Sequence, residues 1–259
     1  MKIAVYNLRA GGKAGNRVHW NRILETYDPE IFLAQETRHP SEYLSSTFYA
    51  ANESRIHWSA APGRKWGSAI LARSGRLKPI ALPEFCGHIV GAEITGSHWS
   101  QQTKRPFRVF SIHVPAPYKR PMNAILDFLG TLDGKCDLIV GGDFNLATGI
   151  RHDSEPLPTD PPFLLKRMRR ELNLLSCWQA VHPNRNLAQT LRWTGKPEMP
   201  YHCDGIFVPA TWYRFLDACE VVTDPAWHSL SDHNPVVATF DELAPVPFLR
   251  SRESKVANR

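Results

Sequence analysis

Apolar residues fall into short runs along this chain, and several of the runs end in a polar side chain. Lys2 to Leu8 carries the β-formers Ile3 and Val5 and ends in polar Asn7 and Arg9, which predicts a strand. Gly11, Gly12 and Gly15 then make a loop. Val18, Trp20, Ile23, Leu24 and Tyr27 recur at helical spacing, and Asp28-Pro29 stops that helix. Ile31 to Ala34 predicts a second short strand, which delivers Gln35-Glu36 at its end. From residue 56 to 113 the pattern changes to strand after strand. Ile56 to Ser59, Ser68 to Ala72, Ile89 to Ile94 and Arg108 to His113 are separated by Gly, Pro or Ser clusters, with no helical period between them. Successive strands without helices predict antiparallel pairing.

Pro115, Pro117 and Pro121 follow His113, and Pro121 suits the first residue of a helix. Met122, Ile125, Leu126, Leu129 and Leu132 mark its apolar face. That helix leads to Leu138-Ile139-Val140-Gly141-Gly142-Asp143-Phe144-Asn145, a buried strand punctuated by two glycines and followed by an acid and an amide two residues apart. Residues i and i+2 leaving a strand point to the same side, so Asp143 and Asn145 can face one site. The glycines let backbone and substrate come close. A carboxylate beside a neutral amide suits phosphate chemistry: one binds a metal or a water, and the other donates to a phosphoryl oxygen.

The Pro- and Asp-rich stretch from Arg151 to Pro162 reads as a surface loop. Phe163, Leu164, Met168 and Leu172 predict a further amphipathic helix, whose other face carries Lys166, Arg167, Arg169 and Arg170 as a solvated basic run. Leu191 to Thr194, Cys203 to Val208, Ala218 to Val222 and Pro235 to Phe240 are the last predicted strands. Residues 1–244 read as one domain and 245–259 as a loosely held basic tail. Polar groups gathered at the ends of buried strands are how α/β proteins build sites.

Composition adds little that the pattern does not. The chain has 259 residues, 42% of them hydrophobic, enough for one large core. Its 31 basic and 25 acidic residues give a net charge of +6, a mild bias toward an anionic partner. The five cysteines are odd in number and none has CxxC spacing, so sequence suggests neither a zinc site nor a disulfide framework. Free thiols fit a reducing compartment, the N-terminus lacks signal-peptide features, and no apolar stretch approaches a membrane span. The chain therefore reads as a soluble cytoplasmic protein, and a monomer is expected.

The order of the polar motifs is the informative feature. Asn7 ends the first strand, Gln35-Glu36-Thr37 the second, and His113 a middle strand. Gly142-Asp143-Phe144-Asn145, Asp204-Gly205-Ile206-Phe207-Val208 and Ser231-Asp232-His233 follow. This series, over residues 1 to about 241, resembles the endonuclease/exonuclease/phosphatase superfamily, which includes pancreatic deoxyribonuclease, exonuclease III, abasic-site endonucleases and neutral sphingomyelinases. The resemblance implies a four-layered α/β sandwich: two mixed sheets packed face to face, helices outside, and the site at one end of the sheets.

It also implies roles. Glu36 would be the principal ligand of magnesium or manganese, which favour hard oxygen donors. Asn7 would help hold the metal or the phosphate, and Asp232 would lie close to the metal. Asp143 would orient or deprotonate the attacking water, and Asn145 would donate to a phosphoryl oxygen. His233 would stabilise charge on the transition state or act as general acid/base, with Asp204 bonded to it. His113 matches a second histidine on the phosphate. The chain departs from the abasic-site endonucleases at His113-Val114-Pro115-Ala116, where that branch has Tyr-x-Pro-Asn. Aromatic and basic residues lie together at Lys65-Trp66, Tyr118-Lys119-Arg120, Arg192-Trp193 and Trp227-His228, a pairing that suits nucleic acid. The expectation is a metal-dependent nuclease acting on DNA, with Lys65, Trp66, Lys119, Arg120 and Trp193 contacting substrate and a positive rim around the pocket built from Lys65, Lys119, Arg120 and Arg192. The alternative is a phosphatase or phosphodiesterase acting on a small-molecule or lipid phosphate. A non-catalytic binding module is disfavoured by the intact series.

Overall fold

The computed structural model describes residues 1–11, 16–132, 134–152, 157, 160 and 163–241. The expected tail at 245–259, most of the loop before Phe163, and Gly12 and Gly15 lie outside these residues.

In chain order the elements are β1 (Lys2–Asn7), α1 (Asn16–Tyr27), β2 (Ile31–Thr37), α2 (Ser46–Asn52), β3 (Ile56–Ala60), β4 (Gly67–Ala72), β5 (Arg76–Ile80) and β6 (Ile89–Thr95). Then come α3 (His98–Thr103), β7 (Phe107–His113), α4 (Lys119–Thr131), β8 (Asp137–Asp143), α5 (Phe163–Leu172), β9 (Leu174–Ser176) and α6 (Cys177–Val181). The last are β10 (Asp204–Pro209), β11 (Leu216–Val221), α7 (Pro225–His228) and β12 (Val236–Phe240). One six-stranded sheet has the order β11-β12-β1-β2-β4-β3, and the other β5-β6-β7-β8-β10-β9. Both are mixed. β1 and β2 run parallel across the α1 connection, β7 and β8 run parallel across α4, and the remaining pairs are antiparallel.

Strand alternation separates the layers. Ile3 and Val5 of β1 enter the core between the sheets with Leu33, Val109, Ile139 and Ile206. Ala4 and Tyr6 of the same strand face outward, onto Trp20 and Ile23 of α1. On the second sheet, Phe110, Ile112 and Val140 turn outward onto Met122, Ile125 and Leu129 of α4 and Met168 of α5. The result is helix, sheet, sheet, helix, the four-layered sandwich that the motif order implied.

Sequence pattern and structure part at several places. Leu191 to Thr194 is not a strand. Leu191 makes isolated bridges to Tyr201 and His233, and the chain then turns back as Lys196 N–H donates to the Trp193 carbonyl at 2.9 Å. β5 lacks an apolar signature because it is a sheet edge with Arg76 and Lys78 exposed; Pro79 is tolerated there, where a missing donor costs least. α3 interrupts the all-strand region, its first turn capped by Ser97 accepting from Ser100 N–H. α2 is likewise started by a serine, Ser45, which accepts from Phe48 N–H.

β8 does not stop at its glycines; it continues through them to Asp143. A Cβ at Gly141 would lie 2.8 Å from Leu33 and 2.9 Å from Val5, side chains of the facing sheet. Gly142 has φ +149°, and a Cβ there would lie 1.9 Å from the Ile112 carbonyl oxygen of β7. We expect Gly142→Ala to lower stability by about 3 kcal/mol or more, since strain and a backbone clash add. Urea unfolding would show this as a lowered midpoint at unchanged slope. An unshifted midpoint would mean that β8 relaxes there at no cost.

Candidate active site

Register brings the polar strand ends to one end of the sandwich. Asn7 pairs beside Gln35 in the parallel β1–β2 pair, so Asn7 and Glu36 leave the first sheet together. His113 lies opposite Asp143, and Asp143 opposite Asp204, across three adjacent strands of the second sheet. The turn before β12 brings Ser231, Asp232 and His233 to the same end, with Ser231 Oγ donating to the Asn7 carbonyl at 2.9 Å. β2 loses register between Ala34 and Thr37, and Glu36 sits there at φ +48°. Asn145 follows β8 at φ +51°. Two non-glycine residues in left-handed backbone at one site are strain that the surrounding contacts hold in place.

Asn7 Nδ2 donates to Asp143 Oδ2 at 2.9 Å and to Glu36 Oε1 at 3.3 Å. Asn7 Oδ1 accepts from Arg9 N–H at 2.8 Å, so both ends of the amide are engaged. The second carboxylate oxygen of Asp143 accepts from Asn145 N–H at 2.9 Å, while Asn145 Nδ2 donates to the Val114 carbonyl at 3.0 Å. His233 Nδ1 meets both Asp204 oxygens, at 2.9 and 3.1 Å, and its Nε2 lies 3.8 Å from Asp143 Oδ2. His113 Nε2 lies 3.5 Å from Glu36 and 3.9 Å from Asp143. All eight residues expected to do chemistry or hold metal thus meet at one end of the sheets.

Burial alone would lower the His233 pKa, but the carboxylates of Asp204 and Asp143 overcome it and push it up to about 10. His233 is an imidazolium at neutral pH, held in orientation by Asp204. His88 goes the other way: burial, with His113 and Arg64 nearby, lowers its pKa.

A pocket of about 720 Å³ opens onto this cluster and is lined by Glu36, His113, Asp143, Asn145, Asp232 and His233, among others. Trp66 and Trp193 form part of its wall, Trp66 edge-on to His113 with ring centres 5.5 Å apart, Trp193 49% exposed. Lys65, Lys119 and Arg120 are exposed but do not line it. Arg192, expected in the positive rim, instead turns inward. It donates to Asn234 Oδ1 and to the Ser231 carbonyl and so braces the turn that carries His233. Sequence reading did not single out Arg64, His88, Tyr201 or Cys203 in the wall. None lies in a motif with chemical spacing; only the fold collects them.

The donor set fits a hard divalent cation. Asp232 Oδ2 lies 3.3 Å from Arg9 Nε, while Asp232 Oδ1 is buried with no hydrogen-bond partner among the described residues. Together with Glu36 in the same pocket, this supplies carboxylate oxygen of the kind magnesium or manganese takes.

No family model matches the chain, and no curated protein does. Solved structures do. An AP endonuclease from Archaeoglobus fulgidus superposes with a TM-score of 0.67 at 20% identity, over 93% of this chain and 99% of that one. A 3′ phosphatase, NExo, from Neisseria, bound to a product DNA hairpin, gives 0.65 at 21% identity, over 93% and 99%. The endonuclease domain of TRAS1, a telomere-specific non-LTR retrotransposon, gives 0.64 at 19%, over 94% and 99%. The chain has the fold of the endonuclease/exonuclease/phosphatase superfamily.

The raised His233 pKa sets a pH dependence. A group more basic in the folded state stabilises fully below its unfolded pKa, about 6.5 for histidine. That contribution fades as pH rises toward 10. In chelator-treated protein, the stability gap between wild type and His233→Gln should narrow steadily from pH 7 to pH 10. A gap that stays constant over that range would mean His233 is neutral in the fold.

Proposed function

We propose that this protein is a divalent-metal-dependent phosphodiester hydrolase that acts on nucleic acid, DNA foremost, as an endo- or exonuclease using magnesium or manganese. The carrying observation is the convergence of Glu36, Asn7, Asp143, Asp232 and the His233–Asp204 pair on one pocket. Nuclease and phosphatase structures that share the fold support the same reading.

Glu36 and Asp232 would hold the cation, which when bound would polarise the phosphoryl oxygen and offset its charge. Asp143, fixed by the Asn7 amide and the Asn145 N–H, presents a carboxylate to a water and orients it or takes its proton. His233, charged and anchored, places Nε2 toward the pocket, where it stabilises the negative charge growing on phosphorus. Asn145 shapes the turn by giving one amide N–H to the Val114 carbonyl, while its nitrogen lies 3.4 Å from Asp143 Oδ2, and the second N–H is the one it would turn to a phosphoryl oxygen. Trp66 and Trp193 offer stacking faces for a base or sugar beside the scissile phosphate.

The smaller-substrate reading keeps one specific observation in its favour. Arg64 is the one Lys or Arg among the described residues that line the pocket, whereas a long polyanion is usually gripped by several. A phosphatase acting on a single terminal phosphate, on a small molecule or a nucleic-acid end, needs no more.

Hydrolysis of bis-p-nitrophenyl phosphate and of plasmid DNA should require magnesium or manganese and stop in EDTA. Glu36→Gln should raise the metal concentration needed for half-maximal rate. Asp143→Asn should leave that concentration nearly unchanged and lower turnover by about 10²–10⁴-fold. Full activity in EDTA would remove the reading.

DNA binding should weaken with salt at a log–log slope of about −0.9 per phosphate contact for duplex and about −0.7 for single strands. Several contacts summed would support the polymer substrate, and a slope near one contact the small one. Trp193 fluorescence, taken as wild type minus Trp193→Phe, should quench on adding an oligonucleotide. A shallow slope with no quenching would favour the small-phosphate reading.

A further inference from the structure

The thiol of Cys203 stands in the middle of the catalytic carboxylates. Cys203 precedes β10 and is 3% exposed. Its N–H donates to Thr190 Oγ1 at 2.9 Å, and its carbonyl accepts from Phe144 N–H at 2.9 Å, so its backbone is pinned. Its Sγ lies 3.7 Å from Asp204 Oδ2 and 4.0 Å from Thr190 Oγ1. One donor atom from each of Asp143, Cys203, Asp204 and His233 lies within 4.8 Å of all the others, and all four residues are buried. Asp143, Cys203 and His233 line the pocket, which gives an ion a path in from solvent.

We propose that Asp143, Cys203, Asp204 and His233 form a second metal site, selective for zinc-class ions, whose occupation competes with catalysis. The argument is one of donor softness and geometry. Magnesium and manganese favour oxygen, whereas a thiolate, an imidazole and carboxylates make the set that zinc takes in four-coordinate tetrahedral sites. Tetrahedral zinc with ligands at about 2.0–2.3 Å holds them about 3.3–3.8 Å apart, so the cluster must draw in by roughly 1 Å. Entry of the ion releases two protons to solvent, one from the Cys203 thiol and one from the His233–Asp204 pair, leaving four deprotonated donors on the metal. An occupied site would tie up Asp143 and His233, the groups the proposed hydrolysis needs. The inhibitory consequence rests on that hydrolytic reading; the metal site itself does not.

Cobalt(II) is the probe, because a thiolate ligand gives it a near-ultraviolet charge-transfer band and tetrahedral ligation gives intense visible bands. Added to the whole chain without substrate, cobalt should produce both, and zinc should bleach them. Cys203→Val and Cys203→Ser should lose the charge-transfer band, while Glu36→Gln should keep it. Circular dichroism melts of the variants would separate a lost ligand from a lost fold. With magnesium present, micromolar zinc should inhibit wild type at least about tenfold more strongly than Cys203→Ser. A band that persists in both Cys203 variants, for instance from exposed Cys86, or that vanishes in Glu36→Gln, would overturn the proposal, as would no band at all. Cobalt bands in a protein that hydrolyses nothing would leave the site standing and sink the hydrolase reading instead.

Discussion

Two carboxylates from two different sheets, Glu36 and Asp143, meet on one amide. Asn7 Nδ2 bonds both, and the rest of the site depends on that bridge. Bringing like charges together out of water is unfavourable unless donors or a cation neutralise them. A neutral amide can satisfy an oxygen of each without adding a charge that would itself exclude a metal. The backbone of Asn7 carries a further tie, since its carbonyl accepts from Ser231 and so fixes the turn bearing Asp232 and His233. One residue at the end of β1 therefore links β2, β8 and the approach to β12.

That bridge spans the sheets only because they lie close at this end. Gly141 leaves room for Leu33 and Val5, and Gly142 faces Gly205 across the β8–β10 pair where a Cβ on Gly205 would lie 2.6 Å from Thr148. Asp143 and Asp204 are the next pair in the same register. Glycine pairing just before the acids thus sets the depth at which the carboxylates emerge. The His233–Asp204 contact uses that depth: at zero exposure Asp204 stays a fixed acceptor, and the charge it shares with Asp143 keeps the imidazole protonated.

The same crowding explains how a cysteine could change the metal chemistry of the site. Cys203 adds one polarisable donor to an arrangement otherwise made of oxygen and nitrogen, without altering the residues that match the hydrolytic series. Its neighbours in sequence, His202 and Asp204, do not reveal this. His202 is buried elsewhere, its Nδ1 on the Ala188 carbonyl and its pKa pulled down to about 4 by burial. The histidine that meets Cys203 is His233, thirty positions away in the sequence.

Much of this molecule was legible in one dimension. The β-formers Ile3 and Val5, the helical spacing from Met122 to Leu129, and the ordered polar strand ends from Asn7 to His233 marked elements and named the residues that meet, while the layers came only with the family resemblance that those motifs carry. Those signals are local, or depend on order alone, and need no knowledge of distance. Tertiary structure decided what depends on distance and exposure. It turned Arg192 away from the rim and into the brace of the 231–234 turn, made an edge strand of polar Arg76–Ile80, and replaced the expected strand at Leu191 by a reversing turn. It kept Lys65, Lys119 and Arg120 off the pocket wall while bringing Arg64, His88 and Cys203 onto it. A sequence states which side chains exist and how they alternate; which of them share a few ångströms of low-dielectric space is settled by how the two sheets close on each other.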